Sequence, residues 1–161
     1  MTSVEAMLAE AVTDIDQPVE AALVEKGSTI HSIGPDESVH RAITRMSEEG
    51  IGCLIVLDAQ HNLAGILSER DYCRKVILMG RNSHGTRVRD IMTTAVITIG
   101  PSASLRQAME LMTEQRVRHM PVVQDRTVVG VLSMGDVVKC VLGQQRQTIQ
   151  ELRTQLNEAT A

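Results

Sequence analysis

Two short stretches of the chain end an apolar, strand-like run in a hydroxyl and place an aspartate three residues later. They are Gly65-Ile66-Leu67-Ser68-Glu69-Arg70-Asp71 and Gly130-Val131-Leu132-Ser133-Met134-Gly135-Asp136. Serine and aspartate at that spacing can serve two ends. At a strand-to-helix junction they form a capping box, the serine accepting from an early helix amide while the acid reaches back. Alternatively, the helix start offers free N–H groups and a positive dipole to a phosphate, and a carboxylate can accept both hydroxyls of a sugar cis-diol. The local residues leave both readings open. The second copy has small Gly135 between its serine and aspartate and follows a basic cluster, Arg116, Arg118 and His119. Such clusters are ordinarily solvated, yet an arginine can grip a phosphate bidentately and a histidine can donate to one. In the first copy Arg70 could do the same, but Glu69 would repel an anion.

Enzyme signatures do not accompany these residues. Walker A, G-x-G-x-x-G, G-x-S-x-G and H-E-x-x-H patterns are missing, and a serine near an aspartate without a positioned base is not a nucleophile arrangement. The reading is therefore non-enzymatic, with no catalytic cofactor. Cys53, Cys73 and Cys140 are odd in number and widely spaced, which suggests neither a disulfide framework nor a zinc site. A redox-responsive dimer has little support, since only Cys73, beside Arg74 and Lys75, has a candidate activating neighbour. The remaining histidines, His31, His40, His61 and His84, show no ligand spacing.

Composition bounds the partners. The 161 residues carry a formal charge of -4, and Tyr72 is the sole aromatic, with no Trp or Phe. Stacking platforms for single-stranded nucleic acid are thereby disfavoured, as is a broad phosphate-backbone surface. No apolar run approaches the roughly 20 residues that span a bilayer. The acidic start, with Glu5 and Glu10, fits neither a secretory nor a transit peptide. Cysteine usage and this start lead to an expectation of a reducing, cytoplasmic setting without nucleic-acid or membrane partners.

The elements needed to position the two Ser-x-x-Asp sites recur as a repeat. Val4, Met7, Leu8, Ala11, Val12 and Ile15 have helical spacing, and Pro18 separates them from a short helix near 19–24. Strand 29–33 precedes Gly34-Pro35, and Ser38 caps a helix with Val39, Ala42, Ile43 and Met46 on its apolar face. A hairpin of 53–57 and 63–67 and a helix over 69–79 complete a β-α-β-β-α unit. Residues 80–89 read as a polar linker whose Arg81, Arg87 and Arg89 are either solvated or reach into a pocket.

The second unit matches the first in Ile33-Gly34-Pro35 with Ile99-Gly100-Pro101, Ser38 with Ser104, and Met46 with Met112; a hairpin shorter by one residue then aligns Gly65, Ser68 and Asp71 with Gly130, Ser133 and Asp136. Correspondence at a turn, a cap, a core position and a strand end argues for duplication. Ser104 to Gln107 also has capping-box form. Beyond Gly143, Ile149, Leu152 and Leu156 share one helical stripe, expected to dock on its own core or on a second subunit.

This duplicated β-α-β-β-α unit resembles the cystathionine-β-synthase (CBS) domain family over about residues 25–147. Ser68-Glu69-Arg70-Asp71-Tyr72, Val88-Arg89-Asp90-Ile91-Met92-Thr93, Arg118-His119-Met120-Pro121-Val122 and Ser133 to Lys139 are similar to stand-alone bacterial proteins made of one CBS pair. The resemblance implies an α+β fold of two tandem repeats packed as a pseudo-two-fold module. The expected division is a helical extension at 1–24, repeats at 25–80 and 89–147, a linker at 81–88 and an amphipathic tail at 148–161. It further implies a regulatory module that forms a homodimer, binds an adenosine ligand (AMP, ADP, ATP, NAD(H) or S-adenosylmethionine) and acts on a separate protein partner.

By the same resemblance, Asp136 and Asp71 hold ribose, while Ser133, Ser68, Arg118, His119, Arg116 and Arg70 are candidates for phosphate. Adenine would be met by Ile97, Thr98, Met120 and Pro121 in the second repeat, and by His31, Ser32, Leu54 and Ile55 in the first. The apolar members of both sets could equally be core. The alternative for the whole molecule is a structural dimerisation module with degenerate, empty clefts.

Overall fold

The computed structural model describes residues 14–27 and 29–160. The expected apolar series at Val4, Met7, Leu8, Ala11 and Val12 lies outside them. The fold is α+β, and the described elements follow one another as two tandem repeats. Its two compact units interleave along the chain: one comprises residues up to 27, 100–119 and 132 onward, the other 28–99 and 120–131.

In the unit containing residues 28–99, three strands, β1 (Ser32–Ile33), β2 (Cys53–Leu57) and β3 (Leu63–Ser68), pair in the order β1-β2-β3. β1 runs parallel to β2 with Ser32 opposite Ile55, and β2 runs antiparallel to β3 with Leu54 opposite Leu67. The strand expected over 29–33 thus shortens to two paired residues. Helix α2 (Val39–Glu49) starts at Ser38, whose hydroxyl accepts the Arg41 amide, and stops at Gly50 in the left-handed region at φ 64°. A residue without Cβ adopts that conformation at little cost. Val39, Ala42 and Met46 point inward against Leu54, Val56 and Leu67, all 0–1% exposed. Branched aliphatics and methionine fill this core, and partly buried Tyr72 packs against it.

Gly65 is a close-approach position. A Cβ there would lie 2.9 Å from the Thr93 carbonyl oxygen and 2.9 Å from Met92 Sδ. That approach permits the mutual backbone bonds between Ile66 and Thr93, at 3.0 and 2.9 Å.

Two expectations change in this unit. The helix expected over 69–79 is α-helical only through α3 (Glu69–Tyr72), then widens into a π turn at Cys73–Ile77. The polar stretch over 80–89 is bound to its own unit. Val39 N donates to Thr86 O, His40 N to Ser83 O, Val88 N to Glu37 O and Arg89 N to Pro35 O, each at 2.9 Å. Arg87 and Arg89 are exposed and both pair with exposed Asp36, so of the two alternatives the solvated surface is the one observed for them.

Strands β4 (His119–Gln124) and β5 (Thr127–Ser133) form a hairpin whose two-residue turn places Asp125 and Arg126 at φ 49° and 67°. Two successive positive φ values match the twist of a tight hairpin. The expected counterpart of β1 is reduced to one parallel bridge, Ile99 with Val122.

In the other unit, helix α1 (Val19–Lys26) is tied to the turn before α4 (Leu105–Glu114) by Val19 N to Ala103 O, 2.8 Å, and Leu105 N to Gln17 O, 2.8 Å. The Ser104–Gln107 capping box is present at the start of α4. Helix α5 (Met134–Thr160) is 27 residues long and carries the tail stripe, of which Ile149 is exposed; the side chains of Leu152 and Leu156 lie outside the described ones. Val19, Leu105, Ala108, Met112, Leu132 and Val137 form the buried apolar side of this unit.

Candidate nucleotide-binding site

The geometry at the two Ser-x-x-Asp sequences begins with the end of a strand. Ser133 closes β5 and Ser68 closes β3, so each backbone leaves the strand and immediately enters a helix. At the second copy, Ser133 Oγ accepts the Asp136 amide at 3.1 Å, while Asp136 Oδ2 accepts Ser133 N at 2.8 Å and Ser133 Oγ at 2.7 Å. At the first, the same three bonds measure 3.3, 3.0 and 2.7 Å. Both serine–aspartate pairs are therefore capping boxes, and the duplication extends to individual atoms. The next amide is also used alike: Glu69 N donates to Gly52 O, and Met134 N to Arg118 O.

The two copies differ in how each carboxylate is neutralised. Asp71 Oδ1 receives Lys75 Nζ at 2.8 Å, one helical turn on, and the Thr93 hydroxyl at 3.5 Å. Lys75 also donates to the Ile91 carbonyl at 2.7 Å. Both oxygens of Asp71 are consequently engaged. The position four residues beyond Asp136 is Cys140, which cannot supply that cation. Lys26, at the end of α1, provides it instead, 2.7 Å from Asp136 Oδ2. Oδ2 thus takes all of the bonds to Asp136, and Oδ1 accepts none from the described residues.

Asp136 also lines a cleft of ≈ 200 Å³ with Ala22, Glu25, Lys26, Lys139 and Cys140. Beside it, a Cβ added to Gly135 would meet only Ser133 Oγ, at 3.6 Å, so the helix mouth is uncrowded.

Burial pushes the pKa of both aspartates up, but the bonds from lysine and serine outweigh it and hold both carboxyls below their ordinary value. Burial beside Glu25 raises the pKa of the Cys140 thiol, which disfavours the reactive thiolate. Cys53 is buried and Cys73 exposed. Among the described residues, no group of acids, histidines and cysteines could hold a metal ion.

The other candidates divide between the two units. Arg118, by its carbonyl, is fixed at the start of α5 with Ser133 and Asp136, and Arg116 and His119 adjoin it in sequence. Arg116 and Arg118 are exposed, Arg116 at φ 54°, and His119 is half-buried. The adenine candidates all belong to the other unit. Ile97 and Thr98 lead into the Ile99 bridge, whose amide donates to the Pro121 carbonyl at 3.1 Å. His31 and Ser32 sit beside β2, with Ile55 N donating to His31 O at 3.0 Å. Leu54, Ile55 and Met120 are 0% exposed and Pro121 is buried, whereas Ile97, Thr98, His31 and Ser32 present surface. Ser68 and Asp71 lie in this same unit, and Arg70 is exposed on the first turn of α3.

Sequence reasoning missed both lysines. Lys75 was legible, since i,i+4 acid–base spacing on a helix is a pairing signal. Lys26 was not, because 110 residues separate it from Asp136.

Comparison with known proteins identifies the repeat. A family model described as the CBS domain matches residues 27–77 and 88–143. The mitochondrial CBS domain-containing protein CBSX3 of Arabidopsis thaliana is 43% identical over 121 residues, 73% of this chain, and the chain spans 59% of that relative's length. The CBS domain-containing protein YhcV of Bacillus subtilis is 28% identical over 67% of this chain and 76% of its own. Among solved structures, a putative signal-transduction protein with CBS domains from Burkholderia ambifaria has a TM-score of 0.77 and 43% identity, covering 80% of this chain and 96% of that one. No described helix is long and apolar enough to cross a membrane. CBS-domain proteins are in general regulatory modules that bind adenosine ligands. With two family matches, a duplicated capping geometry and a shared fold, the chain belongs to the CBS-domain family as a tandem CBS pair.

Proposed function

We propose that the chain is a non-catalytic regulatory module that takes an adenine nucleotide at its second Ser-x-x-Asp site and acts, as a homodimer, on a separate protein. The observation that carries this reading is the Oδ1 of Asp136, which accepts no bond from the described residues and lies beside an open cleft and an uncrowded helix start. A ribose diol needs carboxylate acceptor capacity, and Asp136 retains it while Asp71 has spent both oxygens on internal partners. A phosphate would draw on the start of α5, with Ser133 exchanging its hydroxyl bond to Asp136 for one to the ligand and with Arg118, Arg116 and His119 as supporting donors. The first copy, by the same reasoning, is a structural cap, which favours one occupied site per chain.

Ligand would couple to conformation through Lys26. A diol that engages both oxygens of Asp136 displaces the Lys26 ammonium and releases the end of α1, so the bound and free states differ at a defined element. Calorimetric titration of AMP, ADP, ATP, NADH and S-adenosylmethionine against wild type, Asp136→Ala and Asp71→Ala tests the reading. Binding lost with Asp136→Ala and kept with Asp71→Ala is expected. Equal binding by wild type and Asp136→Ala removes Asp136 from the site, and no binding of any of the five ligands leaves the module structural.

A further inference from the structure

The two Ser-x-x-Asp junctions share three bonds atom for atom, then differ at the fourth residue after the aspartate, Lys75 in the first copy and Cys140 in the second. Each carboxylate is met by a lysine, but on different oxygens. Lys26 lies 2.7 Å from Asp136 Oδ2, the oxygen that already accepts from Ser133. Lys75 lies 2.8 Å from Asp71 Oδ1, whereas Oδ2 is the one that accepts from Ser68. In the first copy the lysine therefore takes the oxygen that the cap leaves over, with the Thr93 hydroxyl beside it at 3.5 Å.

Lys75 is also anchored. Its Nζ donates to Ile91 O at 2.7 Å, which bridges the helix after Ser68 to the segment that pairs with β3 through Ile66 and Thr93. A cation held between a carboxylate and a carbonyl makes charge-assisted bonds to both and is a fixed counter-ion. Glu69 and Arg70, inside the frame, are exposed, while Lys75 is half-buried against the carboxylate itself.

The frame of a first site is otherwise in place. Ser68 lies opposite Cys53, and Ser32 lies opposite Ile55, two residues along the same strand. Side chains alternate along a strand, so the two serines share one face of the sheet. With neighbouring strands about 4.8 Å apart and residues about 3.3 Å apart, they are about 12 Å from each other, a mononucleotide's span. Both present surface.

We propose that Lys75 is the residue that keeps the first Ser-x-x-Asp site closed. Its ammonium occupies the Asp71 oxygen that a ribose diol would need, and loss of that ammonium converts the cap into a second nucleotide site. The residue four places after each aspartate thus sets how many ligands the chain takes. This inference rests on the reading of Asp136 as a ribose acceptor.

Calorimetric titration of the full chain with AMP, and in a parallel series with ATP, reads the stoichiometry. Wild type is expected to take one nucleotide per chain and Lys75→Met two. Lys75→Met/Asp136→Ala should take one, with a Kd within about tenfold of the wild-type site, and should lose it when Asp71→Ala is added. Lys75→Arg keeps a cation and should stay at one. Lys75→Gln retains a donor for the Ile91 carbonyl and carries the same expectation as Lys75→Met, should circular dichroism show that the latter fails to fold. Unchanged stoichiometry in the folded Met or Gln variant would overturn the proposal, as would two sites in wild type or in Lys75→Arg. Wild type and Asp136→Ala read the second site, while the Lys75 variants read the first. Binding confined to the Lys75 variants and dependent on Asp71 would refute the reading of Asp136 and uphold the role of Lys75. No binding by any variant would refute both.

Discussion

Replacing Asp136 with asparagine keeps the side-chain volume and one oxygen acceptor but removes the charge that three donors address. Its cost can be worked from the contacts. The ion pair to Lys26 involves a lysine side chain 42% exposed, so solvent screening limits it to about 0.5 kcal/mol. The negative charge in the first turn of α5 adds about 0.5 kcal/mol against the helix dipole. Weakening the Ser133 N–H and O–H bonds from charge-assisted to neutral adds about the same again.

The expected destabilisation is about 1.5 kcal/mol at pH 7, or roughly 3–6 °C in Tm for a chain of this size. The pH dependence has a fixed sign. The folded-state pKa of Asp136 lies below the ordinary 3.8, so its charged form contributes stability that is fully present above that value and is lost as pH falls through the folded pKa. Urea unfolding of wild type and variant between pH 3 and 7 should show a gap that is constant above about pH 5 and closes toward pH 3. In a Lys26→Met background the cost of Asp136→Asn should shrink by the ion-pair share, about 0.5 kcal/mol. A Tm change below about 1 °C at pH 7, or a gap that persists unchanged at pH 3, would refute the assignment of Asp136 as a charged cap.

Four other outcomes follow from the same geometry. Lys26→Met should tighten nucleotide binding about two- to fivefold, since a screened ion pair no longer competes for Asp136; calorimetry measures it, and weaker binding would make Lys26 a ligand contact instead. Gly65→Ala should cost about 1–3 kcal/mol by denaturant unfolding, because its Cβ meets the backbone oxygen of Thr93 rather than a movable side chain. Asp36→Ala removes two half-exposed arginine pairs and should cost under about 1 kcal/mol, a small shift in urea midpoint. Iodoacetamide followed by mass spectrometry at pH 8 should label Cys73 first, Cys140 more slowly and Cys53 only on unfolding, in the order of exposure and thiolate availability.

What the sequence determined by itself was the repeat and its punctuation. The Ile-Gly-Pro turns, the Ser38 and Ser104 caps, the apolar faces at Val39/Ala42/Met46 and Leu105/Ala108/Met112, and the two Ser-x-x-Asp junctions are local signals. They depend on backbone preferences and on side chains a few residues apart, which is why they were legible in one chain without its fold. The same locality explains why Leu54, Ile55 and Met120 were named for both core and ligand: an apolar run does not say which of its residues keep surface. Their burial is decided by the strands and helices packed over them.

Only the tertiary structure decided what each Asp does with its second oxygen. Asp71 and Asp136 share the Ser-x-x-Asp frame, and beyond the residues inside it the sequence separates them only by Lys75, four residues after Asp71, where Cys140 follows Asp136. Folding gives one a lysine from its own helix and a threonine from residue 93, and the other a lysine from 110 residues away. Partners brought from that distance are fixed by chain topology, not by local preference. The resulting difference, one carboxylate with both oxygens engaged and one whose Oδ1 accepts nothing from the described residues, is what separates a cap from a candidate ligand site.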